Sequence, residues 1–354
     1  MLLGDSPKRD FVEEIDAAVR QVVEAQLQAG IDIVNDGEQS RPGFSTYITE
    51  RMRGFGGQSA RRSATDFSRF PGFAEYWLWV YRGIPVHSNT QPKAVAAVEY
   101  FGKASAQAEC ERLLSLLRGR ADVQGFMTAP SPGIISTTMQ NDFYESHEAY
   151  LFALARELRK EYEVIAGSGL LLQIDAPDLA MERNIEFQEG TDADFLAIVE
   201  MHVAALNEAL VNIPRDRVRL HCCWGASERP HFDDMSLELL LPVIRKARVG
   251  GLSIPFANPR HQHEYEVVKR VKLPADMKLI AGVIDNTTNF VEHPEVVSRR
   301  IIEAVSAVGD ADRVIAGTDC GFGTFAGFQR VASDVTFAKL RACREGADLA
   351  AARL

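Results

Sequence analysis

The chain has 354 residues, of which 46% are hydrophobic and 25% charged, so it can bury a large core and lacks the composition of a disordered or collagen-like protein. Lys and Arg total 39 against 49 for Asp and Glu, and the formal net charge of -10 argues against binding to nucleic acid or to an acidic membrane surface. No run of about 18 apolar residues occurs and the N-terminal segment soon turns acidic, which predicts a cytoplasmic protein without a spanning helix or signal peptide.

The first predicted elements are a helix and a strand. Apolar residues recur at helical spacing over residues 11–27, Gly30 ends the helix, and the run at 31–34 indicates a buried strand. Six later apolar runs have the same character, at residues 123–128, 170–175, 218–223, 251–256, 279–285 and 314–319. Helical patterns separate them, at 150–164, 193–210, 237–247, 294–308 and 333–344. This alternation predicts an α/β protein with a parallel sheet.

Polar side chains follow nearly every predicted strand, which bears on how the sheet is closed. A (β/α)8 barrel gathers its active site at the carboxyl ends of many strands, whereas an open doubly wound sheet concentrates it at one switch point. We therefore expect a TIM barrel, as a single domain over residues 1–354. Because only seven strands are visible, the first strand is predicted to be short or missing. Residues 57–120 break the rhythm and are interpreted as an insertion, with a hairpin formed by strands near 77–81 and 96–101.

The chain has five cysteines, an odd number and too few for a disulfide framework, which favours reduced thiols with a metal or catalytic role. Side chains two apart on a strand share a face, so His221 and Cys223 point together while Cys222 points into packing. Cys320 follows the last strand, and a barrel can bring it to the same mouth. Imidazole and thiolates suit zinc. On spacing alone, a core histidine beside buried cysteines explains the pattern better.

Four segments in the same order carry a family resemblance: DIVNDGEQSRPGFSTYITERMRGFGG, LLLQIDAPDL, LHCCWG and GTDCGFGTFAG. They resemble the catalytic domain of cobalamin-independent methionine synthases, and most closely its short single-barrel relatives, which include epoxyalkane:coenzyme M transferase. The resemblance implies a TIM barrel that binds Zn2+ through His221, Cys223 and Cys320. It also implies that a small-molecule thiol, held as a zinc-bound thiolate, attacks an electrophilic alkyl donor.

The chain departs from this family at several positions. The family's glutamate ligand corresponds to Pro255, which cannot bind metal, so water, substrate, or a neighbour such as His261 or Glu264 would take the fourth place. The segments at 127–131 and 285–287 lack the tryptophan and histidine of methionine synthases. Methyltetrahydrofolate is therefore disfavoured as donor, and an epoxide or a corrinoid-borne or otherwise activated alkyl group becomes an equally good candidate.

Further site residues follow from the same comparison. Glu38 and Asp175 match the carboxylates that hold the amino group of homocysteine in methionine synthases, and a network with Arg41 or Arg260 is the alternative. Asp319 either orients His221 or Arg260 or caps a loop. The predicted substrate-binding residues are Glu38, Asp175, Gln173, Ser131 and Trp224. The residues expected to orient the electrophile or its leaving group are Asp285, Arg260 and Asn258.

The leading hypothesis is a zinc-dependent alkyl or methyl-type transferase that acts on a thiol, with homo-oligomers left open. One alternative is a metal-dependent lyase that cleaves a carbon–sulfur or carbon–carbon bond, with Asp285 or Glu38 as base. The other is a non-catalytic barrel that only binds a small molecule.

Overall fold

The structure, a computed structural model, describes residues 8–82 and 91–354. Its helices within these ranges are α1 (Lys8–Gln28), α2 (Thr65–Arg69), α3 (Pro71–Val80), α4 (Lys103–Leu117), α5 (Pro132–Thr138), α6 (His147–Gly167), α7 (Asp192–Ala209), α8 (Leu237–Ile244), α9 (Tyr265–Arg270), α10 (Pro294–Val308) and α11 (Ser333–Ala351). Its strands are β1 (Ile33–Val34), β2 (Met52–Gly56), β3 (Lys93–Tyr100), β4 (Gln124–Pro130), β5 (Leu171–Asp175), β6 (Val218–His221), β7 (Gly251–Pro255), β8 (Lys278–Ile284) and β9 (Val314–Thr318).

Seven strands form one parallel sheet in the order β1-β4-β5-β6-β7-β8-β9, with helices between consecutive strands. These are the seven strands predicted from the sequence, so the α/β prediction is confirmed. Strands of such a sheet are covered on both faces, which explains their near-continuous apolar runs. In this arrangement the carboxyl ends of all seven strands lie along one edge of the sheet.

The sheet curls so that the loops after its two outer strands meet. The amide of Phe44 donates to the carbonyl of Thr324 at 3.2 Å, and the amide of Ala326 donates to the carbonyl of Pro42 at 2.8 Å. Between the described residues of β1 and β9 there is no strand pairing. The predicted short or missing first strand lies outside the described residues.

One predicted strand is wrong. The segment near 77–81 belongs to α3, which begins at Pro71, a residue favoured at the first position of a helix. Its aromatic residues alternate, but they also recur every four residues, and Phe73, Trp77 and Tyr81 stack along one helix face with centroid distances of 5.7 Å and 4.2 Å. The other predicted strand, β3, is present and pairs antiparallel with β2 instead.

The segment interpreted as an insertion also includes α4. This helix packs against β4 and α6, as the other crossover helices pack against their strands. In the described part of the chain, no helix combines the length and apolar composition needed to cross a membrane.

Candidate metal centre

The structure brings the three predicted metal ligands together. His221 ends β6, Cys223 lies two residues on, and Cys320 follows β9, three strands away in the sheet. One ring nitrogen and the two sulfur atoms all lie within 4.8 Å of one another. His221 and Cys223 are buried, whereas Cys222 packs in the hydrophobic core, as the alternation along the strand predicted.

The protonation of this cluster follows from its own contacts. A hydrogen bond from the Cys320 thiol and the neighbouring His221 imidazole hold the pKa of Cys223 well below its usual range, although burial opposes this. The same hydrogen bond raises the pKa of Cys320. Burial disfavours the charged form of His221, but the adjacent Cys223 thiolate raises the pKa of His221 overall. These contacts favour the thiolate form of Cys223 beside a protonated Cys320, and a bound cation would displace the protons of the cluster.

Asp175 and Gln173 lie on β5 beside this cluster. Asp175 is in register with His221 on the adjacent strand, and the Gln173 side-chain amide donates to the Asp175 carboxylate at 2.8 Å. Burial raises the pKa of Asp175, and the nearby His221 opposes that shift. The Ser253 hydroxyl lies 3.4 Å from Nδ1 of His221 on the other side. The predicted carboxylate at residue 175 is thus next to the candidate ligands.

Glu38 takes part in the network with Arg41 that was the alternative to substrate binding. The Thr128 hydroxyl donates to Glu38 at 2.7 Å, and Arg41 donates to the carbonyl and hydroxyl oxygens of the same threonine. The pKa of Glu38 is raised to about 7, because burial and the nearby Asp175 raise it by more than Arg41 lowers it. A cationic substrate group nearby would stabilise the ionised form of this carboxylate. The network with Arg41 is therefore compatible with an ammonium site.

A pocket opens beside the two cysteines. Its lining includes Cys223, Trp224, Pro255, Asn258, Asp285 and Cys320. Among the described residues, the lining does not include Glu38, Asp175, Gln173 or Ser131.

Two of the predicted electrophile-orienting residues are held by nearby turns. The Asp285 carboxylate accepts four hydrogen bonds, two from Thr287 and two from Thr288, at 2.6 to 3.1 Å. The Asn258 side-chain oxygen accepts from the amide of Arg260 at 2.8 Å. Both residues face the pocket, but Asp285 has little free capacity to act as a base.

Arg260 is not where the sequence placed it. Its side chain is exposed and donates to the carbonyl of Phe232 at 2.6 Å, with the guanidinium over the Phe232 ring. The turn that follows β7 carries the residue away from the pocket, and Arg260 is not among the described lining residues. Its backbone amide donates to Asn258, and a role of Arg260 in orienting the electrophile stays a prediction.

Asp319 and Ser131 both stabilise backbone. The two Asp319 oxygens accept from the amides of Phe256, Ala257 and Asn258 at 2.8 to 3.0 Å, so the loop-capping alternative is the observed one. The Ser131 hydroxyl accepts from the amide of Ile134 at 3.0 Å, which caps α5, and donates to Asp178. A substrate contact by Ser131 stays a prediction.

Comparisons with known proteins agree on one family. No family model matches the chain. The methionine synthase of Sulfurisphaera tokodaii is 25% identical over 297 residues, which is 83% of this chain and 72% of that protein. The methionine synthase of Thermococcus kodakarensis is 24% identical over 320 residues, 90% of this chain and 80% of that protein. The B12-independent methionine synthase from Shewanella sp. W3-18-1, solved with selenomethionine, superposes with a TM-score of 0.74 at 20% identity, over 99% of this chain and 92% of that one.

These sequence relatives, together with the fold, support a cobalamin-independent methionine synthase-like family. Its fold is also similar to a B12-independent methionine synthase described from Listeria monocytogenes, with a TM-score of 0.64 at 16% identity. Both likenesses cover nearly the whole chain, so these two solved structures share the fold described here.

This methionine synthase-like chain has a second cluster that the sequence reasoning missed. His261, considered above as a substitute ligand, has both ring nitrogens engaged, with Glu264 and Asp234 each at 2.9 Å. Asp234 also meets Nδ1 of His231 at 2.8 Å. The signal was two pairs at three-residue spacing, His231 with Asp234 and His261 with Glu264, each pair acting within one turn.

Proposed function

We propose that this methionine synthase-like chain is a zinc-dependent alkyl or methyl-type transferase that activates a thiol substrate. The observation that carries the proposal is the convergence of His221, Cys223 and Cys320 beside a pocket. The methionine synthases among its relatives support a methyl group as the transferred group and a thiol as its acceptor. We also propose that the curled sheet closes as an eight-stranded TIM barrel in a single domain over residues 1–354, with 57–120 as its insertion.

The donor set fits zinc. One imidazole and two thiols form the nitrogen and sulfur set of catalytic zinc sites that keep one open position. Zinc bound there would lower the pKa of a substrate thiol and so supply a thiolate nucleophile at neutral pH. The side chains with exchangeable protons, Cys320 and His221, are the two whose pKa values are raised.

We assign the remaining roles in the reaction to other residues of the site. Glu38 and Asp175 hold a cationic group of the thiol substrate through charge-assisted hydrogen bonds, with Gln173 fixing Asp175. Trp224 forms a flat wall beside Cys223, and Asn258 and Asp285 orient the electrophile from the turns after β7 and β8. Pro255 faces the same pocket where the family has its glutamate, so it leaves the place beside the cysteines to substrate.

The test uses cobalt as a spectroscopic substitute for zinc. We expect Co2+ to give a thiolate-to-metal charge-transfer band in the native chain and in Cys222→Ser, a weaker band in Cys223→Ser, and none in the double variant Cys223→Ser/Cys320→Ser. Cys222 is the matched control because it is adjacent, buried and packed in the core. The zinc-loaded protein should alkylate an added thiol such as homocysteine from methylcobalamin or an epoxide, and not from methyltetrahydrofolate.

Three outcomes would overturn the proposal. A charge-transfer band that survives in Cys223→Ser/Cys320→Ser would show that these cysteines do not bind the metal. Turnover without any added thiol favours a carbon–sulfur or carbon–carbon lyase. Tight small-molecule binding with no metal and no turnover favours a non-catalytic binding protein.

A further inference from the structure

We propose that His231, Asp234 and His261 form a second metal site, which takes a divalent transition-metal cation. One carboxylate oxygen of Asp234 lies 2.8 Å from Nδ1 of His231 and 2.9 Å from Nε2 of His261. The three candidate ligand atoms all lie within 4.8 Å of one another, and all three side chains are almost fully buried. Two imidazoles and one carboxylate are the protein ligands of many zinc and non-haem iron(II) sites.

The outward-facing ring nitrogens are held as those of metal-binding histidines usually are. Nε2 of His231 lies 2.9 Å from the carbonyl oxygen of Ser227, and a carbonyl can only accept, so that nitrogen carries a proton. Nδ1 of His261 lies 2.9 Å from the carboxylate of Glu264, whose other oxygen accepts from the amide of Leu237. A second ring nitrogen bound to a carboxylate or backbone carbonyl fixes the tautomer, so that the first nitrogen presents its lone pair to a cation.

The carboxylate and one ring are also oriented from outside the cluster. The oxygen of Asp234 that faces away from the histidines accepts from the Asn184 side-chain amide at 2.8 Å. The ring of His261 stacks on Trp224, which fixes its plane. Each of the three groups therefore has one partner outside the cluster and one face toward its centre.

The distances between the candidate ligand atoms are compatible with a bound cation as well as with hydrogen bonds. Two ligand atoms about 2.1 Å from an ion and at right angles to each other are about 3 Å apart, close to the observed separations of nitrogen from oxygen. Without a cation, the same contacts require a proton on both inner nitrogens, which gives two imidazolium ions facing two carboxylates. Both states are neutral within the cluster when the cation carries two charges and Asp234 and Glu264 are ionised.

The site would be open to ligands on one side. His231 and His261 line the same pocket as Cys223 and Cys320, so a cation held by Asp234 could take further ligands from that pocket. The inference uses none of the three proposed zinc ligands, and either site can fail without the other.

The test is a cobalt titration of the full chain followed by absorption. We expect two equivalents in the native protein, of which only one gives thiolate charge transfer. Cys223→Ser should keep the equivalent without charge transfer. Asp234→Asn should lose it while keeping the charge-transfer band, and Glu264→Gln should weaken it by roughly tenfold or more. The matched control is His263→Gln, on the same turn as His261 but exposed, and it should bind two equivalents.

Circular dichroism of each variant checks that it remains folded, and Glu264→Gln serves in place of Asp234→Asn if the latter does not fold. The inference is overturned if the native protein binds one equivalent, with charge transfer, and Asp234→Asn or Glu264→Gln leaves it unchanged. The cluster would then be held by protons alone. A single equivalent without charge transfer, lost in Asp234→Asn, would support this site and overturn the proposed zinc site instead.

Discussion

Trp224 lies flat against His261, with ring centroids 3.7 Å apart and 12° between the ring planes. The indole nitrogen also donates to the carbonyl of Met235 at 2.8 Å. Because Trp224 follows Cys223 directly, this stack joins the loop after β6 to the turn after β7. Cys223 and Cys320 therefore line one pocket together with His231 and His261.

Replacing Trp224 by phenylalanine should destabilise the fold. The variant keeps an aromatic ring but leaves the buried Met235 carbonyl without its donor, a loss of about 1–3 kcal/mol in the free energy of unfolding. Urea unfolding measures it. The matched control is Trp79→Phe, because Trp79 is 63% exposed and should change stability by less than about 0.5 kcal/mol. Equal losses in the two variants would contradict a structural role for the indole hydrogen bond.

Pro255→Glu should strengthen zinc binding. The residue faces the pocket beside Cys223 and Cys320, so a carboxylate there can add a fourth ligand, and we expect the affinity to rise by roughly tenfold or more. Competition with a chromogenic chelator measures the change. Pro255→Ala separates the gain of a ligand from the loss of proline. If the alanine and glutamate variants bind zinc equally well, position 255 does not reach the metal.

Glu38 should make stability fall as pH rises through the weakly acidic range. Its pKa is raised to about 7 in the fold from 4.5, so the folded state binds this proton more tightly than the unfolded chain does. The free energy of unfolding therefore falls between about pH 4.5 and 7. The loss is at most about 3 kcal/mol, and we expect a smaller one because the residue is partly exposed. Glu38→Gln should lose less stability between pH 5 and 8.

Urea unfolding at both pH values measures this difference. Glu99→Gln is the control, since the Glu99 side chain is 66% exposed. An unchanged pH dependence in Glu38→Gln would show that Glu38 titrates normally.

Ser131→Ala should act on stability and leave thiol binding unchanged. The hydroxyl caps α5 and donates to Asp178, and loss of such a cap costs about 0.5–2 kcal/mol. Thermal unfolding and the KM for the thiol distinguish the two roles predicted for this residue. Ser115→Ala, at an exposed serine that donates to the carbonyl of Arg112, is the control. A raised KM at unchanged stability would instead assign Ser131 to the substrate site.

Predictions from periodicity were accurate where one pattern had one explanation. The helix predicted at 294–308 has those bounds, and its end at Gly309, with φ of 82°, is the left-handed position that glycine favours. Residues 77–81 failed because alternating aromatics also recur at helical spacing. The direction of the Arg260 side chain was out of reach for another reason. In a turn it depends on contacts that no local pattern records, here the one with the Phe232 carbonyl.

The sequence by itself determined the seven strands, their order along the chain, and the polar residues that end them, including the shared face of His221 and Cys223. These are local properties, because strand alternation and helical periodicity act over a few residues. Only the tertiary structure decided which strand ends meet. The approach of Cys320 to Cys223, and of His231 to His261 through Asp234, depends on the curl of the sheet and the course of two loops. Both arise from packing between segments far apart in the chain, which spacing along the sequence does not encode.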